Sequence, residues 1–466
     1  MALVGGVDCS TQSTKVVVCD ADTGEVVREG RASHPDRTEV DPQVWWQAWQ
    51  EASADLLEDV AAVAVGGQQH GMVLVDDAGT PVRDALLWND NRSAPQATRL
   101  IEELGGAQAW ADRTGSVPVA SFTVTKLAWV AENEPDVAER AQGVMLPHDW
   151  LTHQLRGGTG EPTTDRGDAS GTGYWSAATG EYDTDLLSRA FGRELAVPRV
   201  AGPCEAVGET PGGIALAPGT GDNMGAALGL ELEPGDVVVS LGTSGTVFAV
   251  ADRPTADASG IVAGFADATG RFLPLVCTLN AARVVGAALR MTGHELDDLD
   301  RVALSVEDTE GLVLLPFLDG ERTPPLPDAT GLLRGLTRAN ATPAHVVRAS
   351  VEGMLCGLAD AADALDAAGI TPRRVVMIGG AARSAAVQQI AAGLFALPVS
   401  VPQPAEYVAL GAARQAAWTL SQSDEAPRWS RDASLVEPDQ AVAAYYERVR
   451  ASYSAVLAGA RPLLGA

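Results

Sequence analysis

An aspartate near the start of the chain is followed by small hydroxylated residues and a lysine, in GGVDCSTQSTKVVVCD over residues 5–20. A strand, a tight turn and a second strand there would leave the backbone N–H groups of the turn pointing at nothing in the protein. Phosphate oxygens are what such groups bind, without help from cationic side chains. A second turn of the same make-up lies in DVVVSLGTSGTVFAV (236–250), with Thr243 placed 232 positions after Thr11, about half the chain. Either turn alone reads as an ordinary β-hairpin. Two at half-chain spacing, one of them preceded by Asp8, argue for phosphate. The chain has only two lysines, Lys15 and Lys126, and neither follows a glycine, so G-x-x-x-x-G-K is absent and a P-loop is excluded.

Other polar clusters add to this. In VVMIGGAARSAAVQQIAAGL a strand ends at Gly379 and Gly380 and a helix begins near Ser384, and small residues there would let a flat ring approach the backbone. GTGDNMGAALG fails as a dinucleotide fingerprint, because Met224 stands where a third glycine belongs. What remains is Asp222 at the predicted N-cap of a short helix, with Asn223 beside it in a glycine-lined spot. GGQQHGMV (66–73) crowds Gln68, Gln69 and His70 at the C-terminal end of a buried strand, where open α/β sheets bind ligands. LLWNDNRS (86–93) supplies Trp88. An aromatic face with amide and imidazole groups suits a polyhydroxylated ligand, although a core Trp with solvated neighbours fits the same residues. No H-E-x-x-H and no G-x-S-x-G occurs.

The elements that must carry these groups alternate. Apolar β-branched runs (KVVVCD, VAAVAVGG, DVVVSLG, RRVVMIGG) end in glycine or aspartate, and Ala-rich amphipathic stretches lie between them, which predicts an α/β fold. Helices are predicted over 43–59, 124–134, 223–231, 343–368, 384–396 and 439–458. Proline and glycine thicken over 198–235, the expected boundary between two domains of similar size, 1–230 and 231–466. A length of 466 residues, 46% of them hydrophobic, is ample for two cores. The net charge of −28 disfavours nucleic acid and anionic membrane surfaces. Five scattered cysteines without C-x-x-C spacing fit a reducing cytoplasm, and neither an export signal nor a membrane span is expected.

Taken together, GVDCSTQSTK, SLGTSG and IGGAARS resemble the two phosphate hairpins and the adenosine turn of the actin and hexokinase ATPase superfamily. Within it the chain resembles the FGGY family of carbohydrate kinases over essentially its whole length. SFTVTKLAWVAEN (121–133) and GLLRGLTRANATPAHVVRASVE (331–352) match family signatures at every defined position. QQHGMV, LWND, DRGDASGTGYW, GTGDN and GERTP are most similar to members that phosphorylate D-xylulose at its terminal hydroxyl. The resemblance implies two ribonuclease H-like, actin-type ATPase domains, the first with the sugar loops and first hairpin, the second with the second hairpin and adenosine turn. They would flank a central cleft that closes on sugar and ATP.

By the same resemblance, Asp222 is the catalytic base and Asp8 orients Mg²⁺, through water. Thr11, Ser13 and Lys15 hold phosphate from the first hairpin, Gly242 and Thr243 from the second. Gly379 and Gly380 border adenosine; Gln69 and His70 form the sugar loop, with Trp88 as a wall and Asn223 beside it. The helix N-terminus is expected to keep Asp222 ionised. One departure stands out: the turn reads Cys9-Ser10-Thr11 where many members have Gly-Thr, which narrows the backbone allowed there. The alternatives are a kinase acting on ribulose, gluconate or glycerol, or an actin-like scaffold switched by nucleotide. A sugar acid would call for arginine in the 66–73 loop, which has none. Members commonly form dimers, which leaves a homodimer open.

Overall fold

In the computed structural model, which describes residues 2–429 and 431–464, each β-branched run becomes a strand. β1 (Leu3–Cys9), β2 (Ser13–Asp20), β3 (Val26–Ser33) and β4 (Val60–Gly67) are joined by the short β5 (Gly208–Glu209), β6 (Ala215–Leu216) and β7 (Thr220–Gly221). Their order is β5-β6-β4-β1-β2-β3, with β7 also paired to β4. β1 and β4 are covered on both faces, so they read as continuous apolar runs, whereas β3, at the edge, is mostly exposed. Counted from β3, the pairings run antiparallel, antiparallel, parallel, parallel, antiparallel.

A second sheet repeats that plan. β8 (Asp236–Leu241), β9 (Gly245–Ala249), β10 (Phe272–Thr278), β11 (Arg374–Ile378), β12 (Val399–Pro402) and β13 (Ala433–Val436) stand in the order β10-β9-β8-β11-β12-β13. From β10 the pairings are again antiparallel, antiparallel, parallel, parallel, antiparallel. The repeat of two hairpins in the sequence is therefore a repeat of six strands, to which the second sheet adds Ala263–Ala266 beyond β10.

The chain divides into two compact units. One comprises Met1–Leu232, Val250–Leu273 and Ala405–Ser430, the other Glu233–Ala249, Pro274–Pro404 and Arg431–Ala466. The outermost residues of the division drawn from the sequence, 1 and 466, lie outside the described residues.

Helices α1 (Gln43–Ala52), α2 (Thr123–Asn133), α3 (Pro147–Leu155), α4 (Asp222–Gly229), α5 (Ala282–Met291), α6 (Pro343–Ala367), α7 (Ala385–Phe395), α8 (Tyr407–Ser421) and α9 (Ala443–Ala460) overlap all six predicted stretches, with ends that differ by up to seven residues. Thr342 and Ser384 cap α6 and α7 with their hydroxyls, which fixes those starts. The stretch predicted over 43–59 stops at Ala52. Gly30 of β3 lies so near the Ala52 carbonyl that a Cβ would sit 2.0 Å from it, and Asp55 and Asp59 then take left-handed backbone to turn the chain into β4.

In the first unit Val7, Val16, Val18, Val63 and Val65 pack with Trp45 and Trp150, whose rings meet edge to face at 6.1 Å. Each such buried side chain contributes about 1.5–3 kcal/mol. On the other side α8 lies against the sheet and against α4 at backbone contact. A Cβ at Gly6 would be 1.8 Å from the Ala409 carbonyl, and one at Gly411 1.8 Å from that of Gly225. Glycine at these places sets how closely α8 and α4 approach the strand ends.

Candidate active site

Three parallel strands of the first unit end level with one another. Asp8 and Cys9 of β1 pair with Gly66 and Gly67 of β4, and Thr220 and Gly221 of β7 pair with the same two glycines. The residues emerging at that edge are Asp8, then Gln68-Gln69-His70 after β4, and Asp222-Asn223 after β7. This register brings together groups that are 214 positions apart in the sequence. Asn223 Nδ2 donates to Gln69 Oε1 (3.0 Å) and to Asp222 Oδ1 (3.0 Å), and the Asn223 amide donates to the same Asp222 oxygen (2.8 Å).

Two expectations about Asp222 are corrected here. The N-cap of α4 is Gly221, with extended backbone, and Asp222 is the first helical residue. Nor does the helix keep it fully ionised: burial, reinforced by the negative charges of Asp8 and Asp168, pushes its carboxyl up to about 7. Desolvation in a pocket with two other carboxylates outweighs the dipole of an eight-residue helix.

Asp8 is 3% exposed and faces Lys15 across the β1–β2 ladder, where opposed side chains approach closely. Lys15 Nζ stands 3.2 Å from Asp8 Oδ2 and 2.6 Å from Glu406 Oε2, just before α8. Burial raises the Asp8 carboxyl against the opposing pull of Lys15, while burial of Lys15 is outweighed by its two carboxylates, which raise it. Ser10, expected to narrow the backbone of the turn, takes no left-handed conformation and donates to Asp8 Oδ1 at 2.5 Å. The departure thus leaves the turn intact and adds a partner for the aspartate. The Ser10 amide closes the turn on the Ser13 carbonyl (3.0 Å). Ser13 itself is buried, while Thr11 is half-buried and accepts from Trp88 Nε1 at 2.8 Å. Trp88, 40% exposed, is in this way tied to the first hairpin.

The loop after β4 is buried and under-bonded. Both side-chain polar atoms of Gln68, and Gln69 Nε2, make no hydrogen bond among the described residues. Buried amides seldom remain so unless a ligand or water meets them. His70 has left-handed backbone (φ 66°), and its Nδ1 donates to the Gly171 carbonyl (2.6 Å), which in the neutral ring leaves Nε2 as an acceptor.

Several supporting residues were given no individual role by the sequence, although Asp165 and Asp168 lie in the DRGDASGTGYW segment. Gln415 of α8, wholly buried, bonds both the amide and the carbonyl of Gly219 at 3.0 Å, pinning the turn before Asp222. Asp165 accepts from Thr220 Oγ1 at 2.7 Å. His148 of α3 meets Asp168 at 2.7 Å; burial works against its charge but the Asp149 and Asp168 carboxylates outweigh it, so the imidazole is held above its usual range. One glutamine in an Ala-rich helix looks like surface until the chain folds, and Asp165 looks like no more than the cap of the short helix Arg166–Ala169. Glu406, at the N-cap of α8, is equally silent in the sequence.

In the second unit Gly242, Thr243 and Ser244 close β8 onto β9. The carbonyls of Gly242 and Thr243 accept from the amides of Ala282 and Ala281 at the start of α5, at 3.0 and 3.2 Å. Trans peptides therefore point the Thr243 and Ser244 N–H groups away from α5. Arg283 Nε also donates to the Thr243 carbonyl (3.2 Å). Gly379 follows β11 with φ 95°, and a Cβ there would lie 2.5 Å from the Leu241 carbonyl, whereas Gly380 faces open space. Among the described residues no cluster of three or more His, Cys, Asp or Glu could hold a metal, and no helix is long and apolar enough to cross a membrane.

Comparison with known proteins identifies the family. The profile of the FGGY family of carbohydrate kinases, N-terminal domain, matches residues 3–229, and that of the C-terminal domain matches 237–420. Xylulose kinase of Streptomyces coelicolor is 50% identical over 99% of this chain and 97% of its own, and that of Streptomyces rubiginosus 49% identical over the same shares. The crystal structure of xylulose kinase from Bifidobacterium adolescentis is 44% identical, with a TM-score of 0.89, covering 96% of this chain and 99% of its own. With both family domains matched and whole-chain relatives this similar, the chain belongs to the FGGY family of carbohydrate kinases.

Proposed function

We propose that the protein transfers the γ-phosphoryl group of ATP to the terminal hydroxyl of D-xylulose, giving D-xylulose 5-phosphate and ADP. The observation that carries this reading is the meeting of Asp222, Asp8 and the Gln69–His70 loop at three adjoining strand ends. Full-length xylulose kinases at about half identity support the choice of sugar. The sugar hydroxyl oxygen attacks the γ-phosphorus, the bond from phosphorus to the bridging oxygen of ADP breaks, and the hydroxyl proton passes to the Asp222 carboxylate. A base near pH 7 is matched to that transfer, and late proton acceptance suffices, because phosphoryl transfer rests mainly on positioning and charge stabilisation. Asn223 holds Asp222 and Gln69 in one hydrogen-bonded unit, so base and sugar loop share an orientation. His70 and Gln69 take sugar hydroxyls, Trp88, tied to Thr11, offers its ring as a wall, and Thr11 and Lys15 hold phosphate.

Mg²⁺ fits the donor set, since one buried carboxylate at Asp8 suits an ion bound mostly by phosphate oxygens and water, not a protein cage. When bound it neutralises charge on the β- and γ-phosphates. Lys15, now between Asp8 and Glu406, is the neighbouring cation that can turn towards phosphate. In the second unit, the outward Thr243 and Ser244 amides and the open face at Gly380 suit phosphate and a flat base. The net charge argues against nucleic acid as a partner, and scattered cysteines fit a cytoplasmic protein.

ADP release measured with Mg-ATP against ketoses, polyols and sugar acids tests the reading. D-xylulose should be strongly preferred. Equal or better turnover with ribulose, glycerol or gluconate would replace the sugar assignment, and ATP-dependent filaments without sugar consumption would replace the enzyme.

A further inference from the structure

His70 is the non-glycine residue of the sugar loop in left-handed backbone, a conformation that costs roughly 1 kcal/mol and persists only where its surroundings impose it. Those surroundings are the first turn of α2. The Phe122 ring, just before the helix, stacks on the imidazole at 4.7 Å between centroids and 15° between planes. Phe265 closes a second side at 5.6 Å. The His70 carbonyl accepts from Thr123 Oγ1 at 3.2 Å and from Lys126 Nζ at 3.4 Å. Lys126 has no exposed surface, and its remaining acceptors are the carbonyls of Ala120 (3.4 Å) and Ser121.

A buried ammonium is an expensive way to fill space. Methionine would supply the same stem without desolvating a charge. Among the described residues Lys126 makes no ion pair, and burial pushes it down to about 7, with Asp90 pulling the other way. Its three acceptors are all main-chain oxygens. Two belong to the entry of its own helix and one to the loop after β4, so what the charge adds to the fold is a tie between α2 and His70.

We propose that Lys126 is a positioning residue for sugar binding: with the Thr123 hydroxyl it grips the His70 carbonyl and so presents the imidazole to the sugar. This rests on the reading of His70 as a sugar contact. Removal of the tie lets the strained residue relax, swinging the ring off the sugar hydroxyls while the nucleotide contacts stay as they are.

The test compares sugar KM, ATP KM, kcat and melting temperature in Lys126→Met, Thr123→Val, Thr123→Ser and His70→Ala. Lys126→Met should raise the sugar KM about tenfold or more with ATP KM within about twofold. Thr123→Val should raise the sugar KM several-fold, and Thr123→Ser, which restores the donor, should bring it back. Should Lys126→Met fail to fold, the Thr123 pair decides. If His70→Ala raises the sugar KM while Lys126→Met and Thr123→Val leave it unchanged, even with a lowered melting temperature, the positioning role is overturned. If His70→Ala leaves the sugar KM unchanged, the assignment of His70 falls first and takes the proposal with it.

Discussion

The two hairpins sit at the same place in sheets of the same order and sense, yet their side chains differ in kind. One position before the closing pair, the first hairpin opposes Asp8 to Lys15; the second opposes Ser240 to Thr246. Both hold small-residue turns, but only the first is charged. Around it lie the Asp222 carboxyl, the orphaned amides of Gln68 and Gln69, and Glu406. The duplicated architecture supplies two amide-bearing turns, and buried carboxylates gather around one of them. A backbone cradle comes with the hairpin, whereas buried charges need dedicated partners, and at the first hairpin those come from α8 and β7, which crowd the strand ends.

The largest expected effect is at Asp222. Asp222→Asn should lower kcat about 10²-fold or more with ATP KM nearly unchanged. The same substitution should stabilise the protein. A carboxyl raised from 3.8 to about 7 binds a proton in the folded state that the unfolded chain releases, so stability falls as pH rises through that window. The variant should therefore melt about 2–4 °C higher than the parent at pH 8, with the gap closing towards pH 4. Calorimetry at the two pH values checks this, and a variant less stable at pH 8 would contradict the burial of that charge.

Next comes the direct contrast between hairpins. Asp8→Asn should cost about 10²-fold in kcat, while Ser240→Ala should stay within about threefold. Equal losses at the two positions would mean that the second hairpin also carries charge-handling chemistry. The parent's kcat should in turn fall as pH drops below about 7, as Asp222 takes up its proton, a slope absent from Asp222→Asn.

A smaller contrast separates stability from binding within the second unit. Gly379→Ala places a methyl against the Leu241 carbonyl in left-handed backbone and should cost about 1–3 kcal/mol of stability. Gly380→Ala meets open space, so it should leave the melting temperature alone and raise the ATP KM a few-fold. No change in ATP KM would move the flat base elsewhere.

Much of the site was legible as residue types at short range. Asp8 with its turn, the loop at 68–70 and GTGDN each stand inside a local frame, a strand running into small residues, that fixes which side chains emerge. Less legible was what each group experiences. The expectation for Asp222 considered only its own helix, and burial beside Asp8 and Asp168 reverses it. Gln415 and Glu406 lie far along the chain from what they support, one inside α8 and one just before it, where the helical pattern says only that one face is buried. Lys126 was visible as one of two lysines and as part of a signature; its grip on His70 was not.

Strand runs, helix stretches, two phosphate-type turns and the absence of a P-loop follow from local composition, because periodicity and turn chemistry act over a few residues. Which charges share a pocket, how far each carboxyl is desolvated, and which distant side chain pins a loop depend on register between strands and on the close approach of α8. Those are set by packing of segments hundreds of residues apart, and no local pattern encodes them.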